Sequence, residues 1–156
     1  MFVLLIVQIN TGWLTAYRKE QGAHIFAVGF RLVAENVENV RKQVEANCIL
    51  TSDFGTTAWF AFYLPNTCVA QRDERIRWAD TLEPSAFQLR GKLLFVGTDL
   101  PIQNFHLNAS FNTVELLAPL ERKRGPTPIQ TYSIVLLDGA KGDVFDRRLP
   151  FELLRR

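Results

Sequence analysis

Residues 48–71 read CILTSDFGTTAWFAFYLPNTCVAQ. The first four, Cys48 to Thr51, form a short apolar run suited to a buried strand. Ser52, Asp53, Phe54 and Gly55 break it. Thr56 to Leu64 is apolar nearly all round and stops at Pro65. That pattern predicts a helix buried on every side, ended by a residue that cannot continue the hydrogen-bond ladder. Thr67 to Gln71 follows as a second strand. Strands that succeed helices and read as continuous apolar runs predict parallel pairing with cover on both faces of the sheet.

The flanking sequence extends the same scheme. Leu32 or Val33, then Val37, Val40 and Val44, recur at helical spacing, and Glu35, Glu38, Arg41, Lys42 and Glu45 fill the opposite face. Residues 31–46 are therefore expected to form an amphipathic helix. Beyond the polar stretch Arg72 to Gly91, Lys92 to Gly97 reads as a third strand and Phe111 to Leu120 as a fourth. In the fourth, Val114, Leu116, Ala118 and Leu120 alternate with Glu115 and Glu121. A turn at Arg124, Gly125 and Pro126 leads to a fifth strand, Gln130 to Leu137, and the short turn predicts an antiparallel pair. The expected fold is α/β: a small, open, mainly parallel sheet with helices on both faces and an antiparallel C-terminal edge hairpin. Residues 1–29 are expected to be an apolar stump and connector, 30–147 the domain, and 148–156 a tail.

Composition narrows the class. At 156 residues the chain has the length of one domain with a substantial core. Hydrophobic residues make up 47% and charged residues 22%, which excludes general disorder. Eighteen basic against 16 acidic residues leave a net charge of +2, with no large single-sign field to grip a nucleic-acid backbone. Two basic clusters, Arg122 to Arg124 and Arg147, Arg148, Arg155 and Arg156, are read as a solvated turn and a tail. The alternative is contact with anionic lipid or phosphate.

Cys48, Cys68, His24 and His106 are too few and too scattered for a zinc site, and no other cofactor is implied. Both cysteines fall in apolar strand segments, where the expectation is burial as free thiols. Met1 to Ile9 is apolar except for Gln8 but shorter than a bilayer span, and it lacks the basic start of a signal peptide. It fits a buried strand, a short core helix or the end of a membrane helix. Trp13 and Tyr17 beside Arg18 and Lys19 suit either an interfacial connector or a partly packed loop.

In an open parallel sheet, ligands gather beyond the carboxyl ends of the strands. That rule selects Ser52, Asp53, Thr56 and Thr57 after the first strand, Gln71 to Arg77 after the second, and Thr98 and Asp99 after the third. Ser52 or Asp53 is expected to cap the following helix. The functional alternative is that free N–H groups and threonine hydroxyls there hold a phosphate or a sugar hydroxyl. No glycine-rich phosphate cradle is present. The run Arg72, Asp73, Glu74, Arg75, Ile76, Arg77, Trp78 is the densest polar and aromatic cluster. Its arginines suit carboxylate or phosphate, and its Trp suits a sugar face. An exposed salt-bridged loop is the competing reading. The tripeptide Asp53, Phe54, Gly55 lacks every other kinase motif, and a nucleophile elbow is absent, which speaks against a kinase and a hydrolase. Asn108, Ala109, Ser110 is an N-glycosylation sequon.

Taken together, CILTSDFGTTAWFAFYLP at 48–65 and VAQRDERIRW at 69–78 resemble the extracytoplasmic C-terminal region of bacterial glycosyltransferases related to protein O-mannosyltransferases and the aminoarabinose transferase of lipid A. The matching residues are Thr51, Asp53, Thr56, Thr57, Phe62, Tyr63, Pro65, Gln71, Glu74, Arg75 and Arg77. Phe54 departs from the family pattern, which favours a hydroxylated aromatic there. The resemblance spans roughly residues 29 to 147. It implies a parent enzyme that moves a sugar from a polyprenyl-phosphate carrier to a lipid or protein acceptor. The candidate ligand-contact set, taken from the strand ends, is Asp53, Thr56, Thr57, Gln71, Glu74, Arg75, Arg77 and Trp78. The implied partners are the membrane part of that enzyme or a lipid surface, together with the carrier-linked sugar or the acceptor, and no nucleic acid.

In such enzymes the aspartate general base lies in the membrane part and has no counterpart here. The chain is therefore expected to act as a non-catalytic accessory domain on the extracytoplasmic side, with no transferase activity of its own. Met1 to Ile9 then takes the meaning of the stump of a last membrane helix. The alternative is an independent soluble module that binds a small anionic or sugar ligand at the strand ends.

Overall fold

The computed structural model describes residues 28–72, 83–98 and 107–145. Helix α1 (Phe30–Gln43) buries Phe30, Val33, Ala34 and Val37, the stripe its periodicity predicts. Val40 and Val44 complete the stripe at half burial. The helix stops at Glu45, which takes φ 57 in the left-handed region. Glu45 N–H and Ala46 N–H donate back to the carbonyls of Lys42 and Arg41, closing a Schellman-type end. A residue with a Cβ in that conformation costs about 1 kcal/mol. Arg41 helps to hold the turn, since it forks onto Glu38 and donates to the Ala46 carbonyl at 2.6 Å.

Strand β1 (Cys48–Thr51) is buried at all four positions because it is central and covered on both faces, Ile49 by one core and Cys48 and Leu50 by the other. Helix α2 (Phe54–Tyr63) follows, then β2 (Val69–Gln71) and β3 (Leu93–Thr98). The short helix α3 (Leu107–Ser110) precedes the long hairpin of β4 (Phe111–Arg124) and β5 (Thr127–Ala140). The strand order is β2-β1-β3-β5-β4. β1 runs parallel to β2 and to β3, with Thr51 level with Gln71 and Val96. β5 lies antiparallel to β3, with Thr98 opposite Tyr132, and β4 is antiparallel to β5 at the edge. This is the expected open α/β sheet with a parallel centre and an antiparallel C-terminal hairpin.

Alternate residues feed two cores. Ile49, Leu94, Val96 and Ile134 face α1 and α2, where Phe60 and Phe30 meet them. Leu50, Leu93, Phe95 and Val135 face the other way, under Leu107 of α3 and under Val144 and Phe145. At the hairpin tip Gly125 has φ 56, the sign that the first position of a tight two-residue hairpin turn favours.

Four expectations need correction. First, Cys48 and Cys68 form a disulfide, with Cα atoms 4.7 Å apart. Pairing sets Ile49 level with Val69, so the two cysteines stand side by side one step earlier, within bonding distance. Judged singly, each looked like a small hydrophobe; strand pairing makes them partners. Second, α2 is not buried all round. It buries Thr56, Thr57 and Phe60 and leaves Phe62 69% and Phe54 47% exposed.

Third, the β4 alternation fails. The register shifts between Leu116 and Ala118, and again between Arg122 and Lys123. A bulge adds one residue and turns the following side chains to the opposite face. Leu117 and Leu120 consequently pack against the helix-side core, while Leu116, just before the bulge, is exposed. Fourth, Arg122 does not belong to a solvated turn. β4 continues past it, and its side chain is 1% exposed, lying over the Phe30 ring with 4.7 Å to the centroid. Gly29 opens α1 directly beneath this strand: with φ 79, a Cβ there would fall 2.4 Å from the Lys123 carbonyl oxygen. Only glycine lets the helix start so close to β4.

Candidate functional site at the carboxyl ends of the parallel strands

β1 and β3 are neighbours, but the chain leaves them towards opposite faces. After β1 it enters α2, on the first core. Beyond β3 and residues 99–106 it reaches α3, on the second core. Such a divergence is the switch point at which open α/β sheets hold their ligands. Its floor is tight, because a Cβ on Gly97 would come within 3.2 Å of Ser52 Oγ and 3.1 Å of the Phe95 ring.

The residues selected from the sequence meet here in part. Asp53 is the N-cap of α2: its Oδ1 accepts from the Thr56 N–H at 2.9 Å. Ser52 Oγ donates to Asp53 Oδ2 at 3.4 Å. Thr57 Oγ1 donates to the Asp53 carbonyl at 2.7 Å and is hydrogen-bonded to Thr51 Oγ1. The capping reading therefore holds, and Thr57 ties the helix to the end of β1. Thr56, Thr57 and Gln71 are all buried. Arg72 is buried too and donates to Ser110 Oγ at 3.1 Å, which joins the end of β2 to α3. Glu74, Arg75, Arg77 and Trp78, with Asp99 and His106, lie outside the described residues.

Two residues that sequence reasoning missed, Tyr132 and Gln130, complete the cluster together with Arg122, which the sequence reading placed in a solvated turn. Tyr132, on β5 opposite Thr98, is buried, and its hydroxyl donates to Gln130 Oε1 at 2.9 Å. Gln130 in turn lies level with Arg122 on β4. The Tyr132 phenol also shares a hydrogen bond with Thr56 and lies in the fields of Arg122 and Asp53. The sequence signal for this group is the polar run Gln130 to Ser133 in an otherwise apolar stretch of β5.

Burial pushes the Tyr132 phenol up to about 12, against the opposing pull of Arg122 and of the Thr56 bond, with Asp53 adding to the rise. Burial also lowers the Arg122 guanidinium from its ordinary value, partly offset by Tyr132. At neutral pH the phenol therefore keeps its proton and offers an O–H. The arrangement is suited to holding an oxygen-rich group and unsuited to removing a proton.

Folding favours the protonated phenol, so this stabilisation is complete below the unfolded pKa near 10 and is lost as pH rises towards about 12. The loss is expected to reach roughly 2 to 3 kcal/mol. Tyr63, also raised by burial, adds in the same direction. Urea unfolding at stepped alkaline pH checks this, and Tyr132→Phe should flatten the slope.

Among the described residues no group of three or more His, Cys, Asp or Glu side chains is placed to hold a metal ion. No helix among them is long and apolar enough to cross a membrane. A groove of about 450 Å³, lined by Leu89, Arg90, Gly139 and Asp143, lies at the amino end of β3 and shares no residue with the strand-end cluster. Comparison of the chain with family models, with curated proteins and with solved structures returned no match.

Proposed function

We propose that this chain is the extracytoplasmic accessory domain of a membrane glycosyltransferase that takes its sugar from a polyprenyl-phosphate carrier, and that it contributes no catalytic group. The observation that carries the reading is the Cys48–Cys68 disulfide, which links β1 to β2 around the very segment that bears the family motif. Disulfides persist in oxidising compartments and are rare in a reducing cytosol, which supports placement outside it. Two further observations agree. The order helix, strand, helix, strand follows the family pattern. The motif residues Thr51, Asp53 and Thr57 spend their polar groups on one another and on the start of α2, a structural use rather than a chemical one.

The test is made in cells of the native host, acid-quenched and alkylated before lysis, then fractionated. The expected result is a fully oxidised Cys48–Cys68 pair in the membrane fraction, recovered with a many-span transferase. Free thiols in the cytosolic fraction overturn the placement, and sugar transfer by the purified chain alone overturns the non-catalytic role.

A second reading, an independent module for a small anionic or sugar ligand, is favoured by the protonated Tyr132 phenol beside Arg122. Calorimetric titration with sugar phosphates separates the two. Saturable binding weakened by Tyr132→Phe supports the module, and no heat of binding removes it.

A further inference from the structure

From Phe54 to Gln71 the chain carries no charged residue. A helix lying on a sheet in water normally turns polar side chains outward. α2 instead turns out Phe54, Ala61 and Phe62. Phe54 and Phe62 are two turns apart, about 12 Å along one side of the helix. Phe62 does not stand alone: its ring meets Tyr63 at 5.0 Å and Trp59 at 6.3 Å between centroids, and Trp59 stacks on Tyr63 at 6.2 Å. Beside them stands Arg31 of α1, its side chain 72% exposed and close enough for its charge to act on the Tyr63 phenol. Its partner Glu35, at 2.9 Å, is itself half exposed, and such a pair exchanges readily for another anion.

Phe, Trp and Tyr at the surface with a cation at their border is the composition that settles at the headgroup level of a bilayer, rings towards the acyl chains and cation towards lipid phosphate. We infer that the aromatic face of α2, bordered by Arg31, is the surface by which this domain lies on an anionic lipid bilayer. The inference rests on the extramembrane reading above and adds to it which side of the domain faces the membrane.

The experiment uses the full chain with Trp13→Phe and Trp78→Phe, which leaves Trp59 as the sole indole. Vesicles contain phosphatidylglycerol and acyl-brominated phosphatidylcholine. Trp59 emission should move to the blue and be quenched. Phe54→Ser with Phe62→Ser should weaken partition about tenfold. Arg31→Ser should weaken it about fivefold and reduce its dependence on salt. Phe62 is 69% and Phe54 47% exposed, so the variants should stay folded with only a small change in the unfolding midpoint. Should the double variant fold poorly, Phe62→Ser alone, at about threefold, carries the same sign.

A chain that floats with vesicles while Trp59 stays unquenched overturns this face and leaves the proposed function standing. Absence of any partition also overturns it, and the proposed function is then decided separately by thiol state and co-purification. A concentration-dependent dimer in sedimentation, broken by Phe62→Ser, overturns it in favour of a second copy of the chain.

Discussion

Opening the Cys48–Cys68 bridge, by reductant or as Cys48→Ala with Cys68→Ala, should lower the stability of the domain by about 3 kcal/mol. The two residues are 20 apart in sequence, and the loop they close contains the whole of α2. A link across that length removes much of the freedom of the unfolded chain, and β2 is only three residues long, with few bonds of its own to hold it. The loss should therefore fall first on the edge of the sheet. Gln71 and Arg72 follow directly, and the Arg72 bond to Ser110 should weaken with them. Urea unfolding with and without reductant reads the difference, and an unchanged midpoint would contradict the account. Domains of this size are stable by about 5 to 15 kcal/mol, so the change is a large share of the total.

Phe60→Ala should cost about 4 kcal/mol, the usual range for removing a buried aromatic ring. Phe60 is fully buried and sits where α2 meets both α1 and the sheet, its ring edge-on to Phe30 at 6.3 Å. Phe30 also carries Trp59, Tyr132 and the Arg122 guanidinium on its other sides. The cavity left by the change would therefore loosen the floor under the strand-end cluster as well as the helix. Phe62→Ala, two residues along the same helix but mostly exposed, should change the stability by no more than about 0.5 kcal/mol. Thermal or urea unfolding of the pair checks the contrast, and similar losses in both would mean that α2 is seated differently.

The contrast between these two phenylalanines also marks how far sequence reasoning reached. Val33, Val37, Val40 and Val44 alternate with charges, so the buried side of α1 was written in its spacing. α2 has no charge to label its outer side, and its uniform apolarity was read as complete burial. β1 and β3, buried on both faces, were recognised from continuous apolar runs. β4 was recognised but its facing was not, because a bulge at Leu117 reverses the phase of side chains without leaving a mark in the alternation.

At the site, the cap of α2 was narrowed to Ser52 or Asp53 because such short polar side chains at a strand-to-helix turn have one common use, and the structure assigns it to Asp53. Tyr132 was missed and Arg122 was placed in a solvated turn because both come from the far hairpin, and only strand order brings them to the end of β1. The cysteine pair failed for the same reason: proximity across strands is a property of register, which no single segment carries.

The outer strand of the sheet bears on how the protein behaves when crowded. Among the described residues β4 is paired on one side only, over 14 residues, a length that invites sideways growth into ribbons. Pro119 withholds one donor from that margin, two interruptions of register bend it, and Glu115, Glu121 and Lys123 line it with charge. A newcomer strand would meet a crooked and charged seam, so concentrated solutions of the folded chain should stay clear of fibres.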